Sequence, residues 1–140
     1  MLAHMKADDH SGVMDRLTRD DCLRLLASVP VGRIVYTRRA MPAVELVNFT
    51  IDHGDIVIRT DASGKLAAAT CGAVVAFEAD ALDIDQRRGW SVTIVGYSRE
   101  VTDPEDLARL REIGPRPWVV GEHEHFIRIT PGIVNGRRLG

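Results

Sequence analysis

The residues of this sequence that are best suited to chemistry form one short cluster, 59–65, which reads Arg-Thr-Asp-Ala-Ser-Gly-Lys. The cluster joins the guanidinium group of Arg59, the hydroxyl groups of Thr60 and Ser63 and the ammonium group of Lys65 at a point where a strand turns into a helix. An anion there would receive paired hydrogen bonds from Arg59, a point charge from Lys65 and the dipole of the following helix. The same residues also suit a solvated turn that is capped by one of its own side chains. The pattern therefore leaves a phosphate site and an ordinary turn both open.

Several common function classes are excluded. Residues 59–66 are not a Walker motif, because Arg59 stands at the position of the first glycine and Leu66 replaces the serine or threonine. Eighteen basic and twenty acidic residues give a net charge of −2, so the chain lacks the positive field of a general nucleic-acid binder. No run approaches the roughly 18 apolar residues of a membrane span, and no secretion signal precedes the domain. A cytoplasmic protein without a membrane or nucleic-acid partner is expected.

Two further sets of residues have ligand-forming side chains. The triplet His123-Glu124-His125 could direct two imidazoles to one side of a strand, but no third ligand accompanies it, so no metal site is expected. Cys22 and Cys71 form neither a CxxC pair nor a zinc spacing. Their apolar neighbours predict that both are buried thiols.

The two tryptophans stand in settings that suit two roles. Trp90 begins a strand after a charged loop, and Trp118 lies in a loop that contains several prolines. Each indole ring would serve core packing, and each would equally serve to cover a planar ligand.

The elements that must position these residues follow from the hydrophobic pattern of a 140-residue chain, the usual length of one domain. Residues 1–16 predict a flexible tail, and residues 17–140 the folded domain. Within that domain, the changes of period predict three short helices and roughly six strands, which hairpins and single-helix connections would close into an antiparallel barrel. The predicted helices are one capped by Thr18 and ending before Pro30, one at 65–71, and one at 103–113 that Asp103 caps. The predicted strands are 31–37, 43–52, 55–60, 73–78, 90–101 and two short ones, 125–130 and 133–139, at the end of the chain. His53-Gly54 predicts a tight hairpin, and Gly96 predicts a bulge or bend in its strand.

Read together, these features resemble the pyridoxamine 5′-phosphate oxidase-like family of flavin-binding split barrels, and most closely its small actinobacterial, nitroimidazole-resistance-like branch. The resemblance covers residues 17–139 and depends on the order and spacing of several pieces. These pieces are Leu25-Leu26, Val31-Gly32-Arg33, Pro42, Val47-Asn48-Phe49, Ile58-Arg59-Thr60, Ser63-Gly64-Lys65-Leu66, Val75-Ala76-Phe77-Glu78, Gly89-Trp90-Ser91-Val92 and Pro117-Trp118.

The resemblance implies a mainly β (α+β) fold, a six-stranded antiparallel Greek-key split barrel with short flanking helices. It also implies a homodimer that holds one FMN in each of two clefts between the subunits. The resemblance assigns residues to four roles: Arg59, Thr60, Ser63 and Lys65 on the phosphate; the main chain of Val47, Asn48 and Phe49 along the isoalloxazine; Trp90 and Ser91 near the same cleft; and Trp118 reaching the cofactor from the other subunit.

The function implied by the resemblance is that of an FMN-dependent oxidoreductase, in which hydride passes through flavin N5 to or from a small molecule. Two alternatives on the same fold are an F420-dependent reductase and a non-catalytic protein that binds or stores flavin. The chain ends Gly-Arg-Arg-Leu-Gly, without the basic C-terminal segment of the true pyridoxamine-phosphate oxidases, so oxidation of vitamin B6 is not expected.

Overall fold

The computed structural model describes residues 14–60, 63–116 and 125–140. These residues form seven strands and three helices, and none of the three helices is long and apolar enough to cross a membrane. The strands are β1 (Met14–Arg16), β2 (Val31–Arg38), β3 (Met41–Asp52), β4 (Asp55–Thr60), β5 (Val74–Asp83), β6 (Arg88–Glu100) and β7 (His125–Leu139); the helices are α1 (Arg19–Leu26), α2 (Lys65–Thr70) and α3 (Pro104–Ile113).

Six of the strands form a ring of antiparallel neighbours. Their order is β7-β4-β3-β2-β5-β6, and β6 pairs in turn with β7. The first part of β7 also pairs with β4, where His125 lies opposite Thr60, and its last part pairs with β1. Because β7 passes from one neighbour to another along its length, the ring has the split-barrel form that the sequence predicted. The predicted fold class is confirmed.

The C-terminal end differs from the prediction, because the two short strands expected there are one continuous strand, β7. Strand β6 pairs along nearly all of it, with a register shift just before Gly96, opposite Pro131. A Cβ atom added at Gly96 would overlap the carbonyl oxygen of Thr130, so only glycine allows the two strands to approach this closely. The bulge, which the sequence placed at Gly96, accommodates a proline that cannot donate to the ladder.

The end of the predicted tail is also ordered. Met14–Arg16 form β1, with Met14 opposite Leu139. The N–H of Leu17 then donates to the carbonyl oxygen of Gly136 at 3.0 Å, which continues the pairing toward α1. Backbone pairing with the last residues of the chain orders this segment, and such a partner leaves no periodic pattern in so short a strand.

Local chemistry explains the helix starts and the tightest turn. The side chains of Thr18 and Asp103 each accept a hydrogen bond at 3.1 Å from the backbone N–H three residues later, as the sequence predicted for α1 and α3. His53 and Gly54 join β3 to β4 with φ values of +51° and +81°, both in the left-handed region that a two-residue hairpin of type I′ requires.

Two apolar clusters stabilise the barrel from opposite sides of the sheet. Ile56 and Ile58 of β4 point into the ring, where the larger cluster lies. Val57, between them, points outward and packs with Leu110 of α3 and with Phe126. Helix α3 therefore covers the outer face of β4 and β7, next to the residues that begin the 59–65 cluster.

The two cysteines have different surroundings. Cys22 on α1 is fully buried, as predicted, whereas Cys71 is exposed, contrary to the prediction. Helix α2 buries Ala67 and Thr70, whereas Cys71 is the C-cap residue just past its last turn and is exposed.

Candidate functional site

A groove of about 740 Å³ lies between α2 and strands β2, β3 and β4. Five of the residues that the sequence assigned to a cofactor line it: Val47, Asn48, Arg59, Thr60 and Lys65. The structure therefore brings three of the four proposed phosphate residues and two of the three proposed ring-binding residues together in one cavity, whereas Ser63 and Phe49 are not among its lining residues. Their roles toward a cofactor stay predictions.

The cationic corner of the groove is formed by Arg59 and Lys65. Arg59, near the end of β4, holds its guanidinium carbon 5.2 Å from the centre of the Phe126 ring, a contact that restrains the side chain and leaves its charge in place. Asn48 lies directly opposite Arg59 on β3 and shares its face of the sheet. Lys65 is exposed and begins α2. Because α2 has only six residues, the two cations, rather than the helix dipole, make this corner attractive to an anion.

The turn between β4 and α2 has a conformation that only glycine adopts easily. Gly64 has φ +69°, and a Cβ atom added there would lie 2.9 Å from Nε2 of His125. Next to it, the backbone N–H of Lys65 is 3.4 Å from Oγ of Ser63, which is exposed beside the groove. The imidazole of His125 therefore lies directly against the backbone that presents Ser63 and Lys65.

His125 is positioned in turn by Glu100 of β6. Its Nδ1 lies 2.7 Å from Oε2 of Glu100, and both side chains are about two-thirds buried. The sequence singled out His125 only as half of a metal pair with His123, which lies outside the described residues. No group of three or more potential metal ligands occurs in the described ranges. The pairing with Glu100 follows from the register of β6 and β7, which no local pattern reveals.

The opposite end of the groove has a hydrogen-bonded tyrosine that the sequence did not identify. The hydroxyl of Tyr36 donates to Oε2 of Glu45 at 3.1 Å, and Arg38 lines the same end. Burial, followed by the charge of Glu45, raises the pKa of Tyr36, so this phenol stays protonated at neutral pH. Its position follows from the alternation of β2, in which Ile34 and Tyr36 both point inward.

Apolar side chains line the groove between these two polar ends. Leu46 and Val47 contribute from β3, and Leu66 and Ala69 from α2. A groove with a cationic corner, an apolar middle and a second polar end at Tyr36 can hold a planar ring that carries a phosphorylated side chain. The residues present therefore fit a flavin nucleotide.

The remaining predicted site residues lie elsewhere. The Phe49 side chain is in the core, edge-on to Phe77 with ring centres 4.7 Å apart, and its backbone N–H donates to the carbonyl oxygen of Pro30 at 3.1 Å. Trp90 packs partly on the core and lines a separate depression of about 380 Å³ with Arg88 and Arg138. Its neighbour Ser91 is not among the residues that line the main groove.

Trp118 lies outside the described residues. Its assignment to the cofactor cleft from the other subunit stays a prediction.

Comparison with known proteins agrees with the fold. The family model for pyridoxamine 5′-phosphate oxidase matches residues 18–138. The chain is 43% identical to the uncharacterized protein Rv0080 of Mycobacterium tuberculosis, over 88% of this chain and 84% of that one.

Two solved structures are similar over almost their whole length. A Corynebacterium glutamicum protein provisionally named pyridoxamine 5′-phosphate oxidase has a TM-score of 0.80 and 29% identity, covering 90% of this chain and 92% of that one. The FAD binding protein of Mycobacterium smegmatis has a TM-score of 0.75 and 34% identity, covering 89% and 98%. With the family model spanning nearly the whole described barrel, this chain belongs to the pyridoxamine 5′-phosphate oxidase-like family.

Proposed function

We propose that this protein is a flavin-dependent oxidoreductase that binds FMN in the groove between α2 and β3. The observation that carries the proposal is the cationic corner of Arg59 and Lys65 at one end of an apolar groove. The similarity to a protein named for FAD binding, at 34% identity, supports a flavin. FMN and FAD share the phosphate next to the ribityl chain, so the same corner suits either nucleotide.

The chain's own residues would bind and orient the cofactor. Arg59 and Lys65 would hold the phosphate with charge-assisted contacts, and the backbone of residues 47–49 would run along the ring system. When bound, the flavin would supply hydride transfer at N5 to or from a small-molecule substrate. Tyr36 keeps a proton on its hydroxyl in the same groove, where a substrate with a polar group would meet it.

The outer face of the sheet supports a homodimer. One row of side chains crosses five strands in register, since Val44 lies opposite Val35, Val35 opposite Ala76, Ala76 opposite Val95 and Val95 opposite Ile133. Val44 and Ile133 are 61% and 59% exposed, an unusual feature for apolar residues on a continuous stripe. A second copy of the chain would cover this stripe by isologous contact.

The stripe is continuous with the groove. Leu46 follows Val44 on the same face of β3, is 64% exposed and also lines the groove. A partner that covers Val44 would therefore reach the edge of the groove. This arrangement is the one in which Trp118 of the second subunit would approach the cofactor, with Trp90 and Ser91 near the same cleft, as the family resemblance implies.

Native mass spectrometry of the purified protein with FMN, FAD and F420 offered in turn tests the proposal. The expected result is the mass of a dimer that carries one flavin per chain. The same protein should show a flavin absorption band. Preferential binding of F420 would support the deazaflavin-dependent alternative. Flavin binding without turnover of any electron donor would support a storage role. Failure to retain any of the three would contradict the proposal.

A further inference from the structure

We propose that His125, held by Glu100, is a third cationic group of the cationic corner, and that its protonation is coupled to the binding of the flavin phosphate. This inference rests on the proposed function, because it concerns the same corner. It assigns a role to a carboxylate–histidine pair that the proposed function does not use.

One edge of the His125 imidazole lies against Gly64, in the turn between β4 and α2. A Cβ atom at Gly64 would lie 2.9 Å from Nε2, 3.0 Å from Cε1 and 3.3 Å from Cδ2 of His125, so the Nε2 edge is the part of the ring that meets the turn. Ser63 and Lys65 flank Gly64 in sequence. A phosphate held by that turn would therefore be close to Nε2.

Glu100 determines what Nε2 can offer. With Nδ1 2.7 Å from the carboxylate, the Nδ1 proton is directed to Glu100. In the neutral ring Nε2 then carries a lone pair, which repels an anion. In the protonated ring Nε2 carries a second N–H that can donate to one. A carboxylate on the far side of the ring favours the protonated form.

Among the described residues, the other two cations of the corner would oppose protonation of His125 until an anion binds. Arg59 of β4 and Lys65 of α2 are both positive and belong to the same corner. Arg99, next to Glu100 on β6, donates instead to Oγ1 of Thr130 at 3.0 Å. A bound phosphate would offset the repulsion from Arg59 and Lys65, so phosphate binding and protonation of His125 should favour each other.

The coupling can be measured without any enzymatic activity. Isothermal titration of FMN into the protein, at pH values from 5.5 to 8.5 and in two buffers of different ionisation enthalpy, gives both the affinity and the number of protons taken up. Because the FMN phosphate also titrates near pH 6, each result is read as the ratio of wild type to a variant at the same pH. His125→Gln removes the titrating ring and keeps an amide that can donate to Glu100.

At pH 5.5, wild type should bind FMN about tenfold more tightly than His125→Gln, which is the size of one charge-assisted hydrogen bond. At pH 8.5 the two affinities should be nearly equal. Proton uptake on binding should be smaller in His125→Gln than in wild type. Glu100→Gln should move the rise in affinity to lower pH. For riboflavin, which lacks the phosphate, the ratio of wild-type to variant affinity should not change with pH.

His53→Asn is the matched control, because His53 is an exposed histidine in the β3–β4 turn and asparagine suits its positive φ. It should leave both affinity and proton uptake unchanged. Equal pH profiles and equal proton uptake in wild type, His125→Gln and Glu100→Gln would overturn this inference alone. Absence of flavin binding by the wild type at every pH would overturn the proposed function together with it.

Discussion

Asp52 and Arg128 form an ion pair in the interior, with Nη2 of Arg128 2.7 Å from Oδ2 of Asp52 and both side chains under 10% exposed. Arg109 of α3 adds a two-point contact to the same carboxylate, Nη1 to Oδ1 at 2.7 Å and Nη2 to Oδ2 at 3.0 Å. Arg128 also reaches Asp55 across the hairpin at 3.2 Å. One carboxylate thus connects the end of β3, the middle of β7 and the helix that covers them.

This network predicts a loss of stability in acid. The hydrogen bonds from Arg109, with those from Arg128, hold the pKa of Asp52 well below its ordinary value of 3.8, despite its burial. The stabilisation is therefore complete above about pH 5 and is lost as the pH falls through and below the ordinary value. Asp52→Asn should cost about 2–3 kcal/mol of unfolding free energy at pH 7, because it leaves two guanidinium groups without their carboxylate.

Urea unfolding at pH 7 and pH 3 would measure this effect. The difference between wild type and Asp52→Asn should shrink at pH 3. Asp85→Asn, in the exposed β5–β6 turn, is the control and should resemble wild type at both pH values. A gap between wild type and Asp52→Asn that is as large at pH 3 as at pH 7 would rule out the carboxylate's charge as its source.

Arg59→Ala and Lys65→Ala test whether the cationic corner binds the flavin phosphate. Each variant should bind FMN about ten- to a hundredfold more weakly than wild type, since each loses a charge-assisted contact of roughly 1.5–3 kcal/mol. Riboflavin affinity should be the same in wild type and both variants. Arg24→Ala, which removes an exposed arginine from α1, provides the control. If FMN and riboflavin lose affinity equally, these two side chains do not contact the phosphate.

Gly64→Ala tests the contact between the turn and His125. Alanine at φ +69° should cost about 1–2 kcal/mol of stability from backbone strain alone. Gly54→Ala is a matched control, because Gly54 has φ +81° and open space where its Cβ would lie. Gly64→Ala should therefore be the more destabilising in thermal unfolding, and His125→Ala should reduce the difference in a double-mutant cycle. Equal costs at the two glycines would show that the imidazole does not restrain the turn.

The exposed stripe predicts the effect of charge on assembly. Val44→Lys and Ile133→Lys each place an ammonium group on the row that a second copy would bury, so they should convert the dimer to a monomer of 15.5 kDa. Ile84→Lys, at a 77% exposed turn position off the stripe, should leave the dimer intact. Sedimentation velocity at micromolar concentration distinguishes these results. A wild-type protein that sediments as a monomer would contradict the dimer directly.

Local patterns predicted the parts of the fold that local chemistry determines. The hairpin at His53-Gly54, the Asp103 cap and the bulge at Gly96 each follow from a few neighbouring residues. The β1 strand was missed because its partner is the far end of the chain, and pairing over that separation leaves no mark on three residues. The continuity of β7 was missed because Pro131 resembles a chain break until its partner strand is known.

The residues of the candidate site also fall into two groups, those found by a local pattern and those brought together by strand pairing. Arg59 and Lys65 lie within one short cluster and were found by residue type and spacing. Tyr36 with Glu45, and His125 with Glu100, come together only through the register of the sheet. Sequence reasoning identified the charges of the corner and could not identify the pairs that depend on pairing between strands.

Trp118 is expected to contact the ring system of the flavin from the second subunit. If its indole ring abuts the flavin across the dimer, Trp118→Ala should weaken FMN and riboflavin alike, by an aromatic contact of about 0.5–1.5 kcal/mol together with the lost apolar area. This pattern is the opposite of that expected for Lys65→Ala, which should affect FMN alone. Trp118 fluorescence, measured in a Trp90→Phe background that removes the second indole, should be quenched as flavin binds. Emission that stays constant at saturating flavin would place the ring away from the cofactor and remove it from the site.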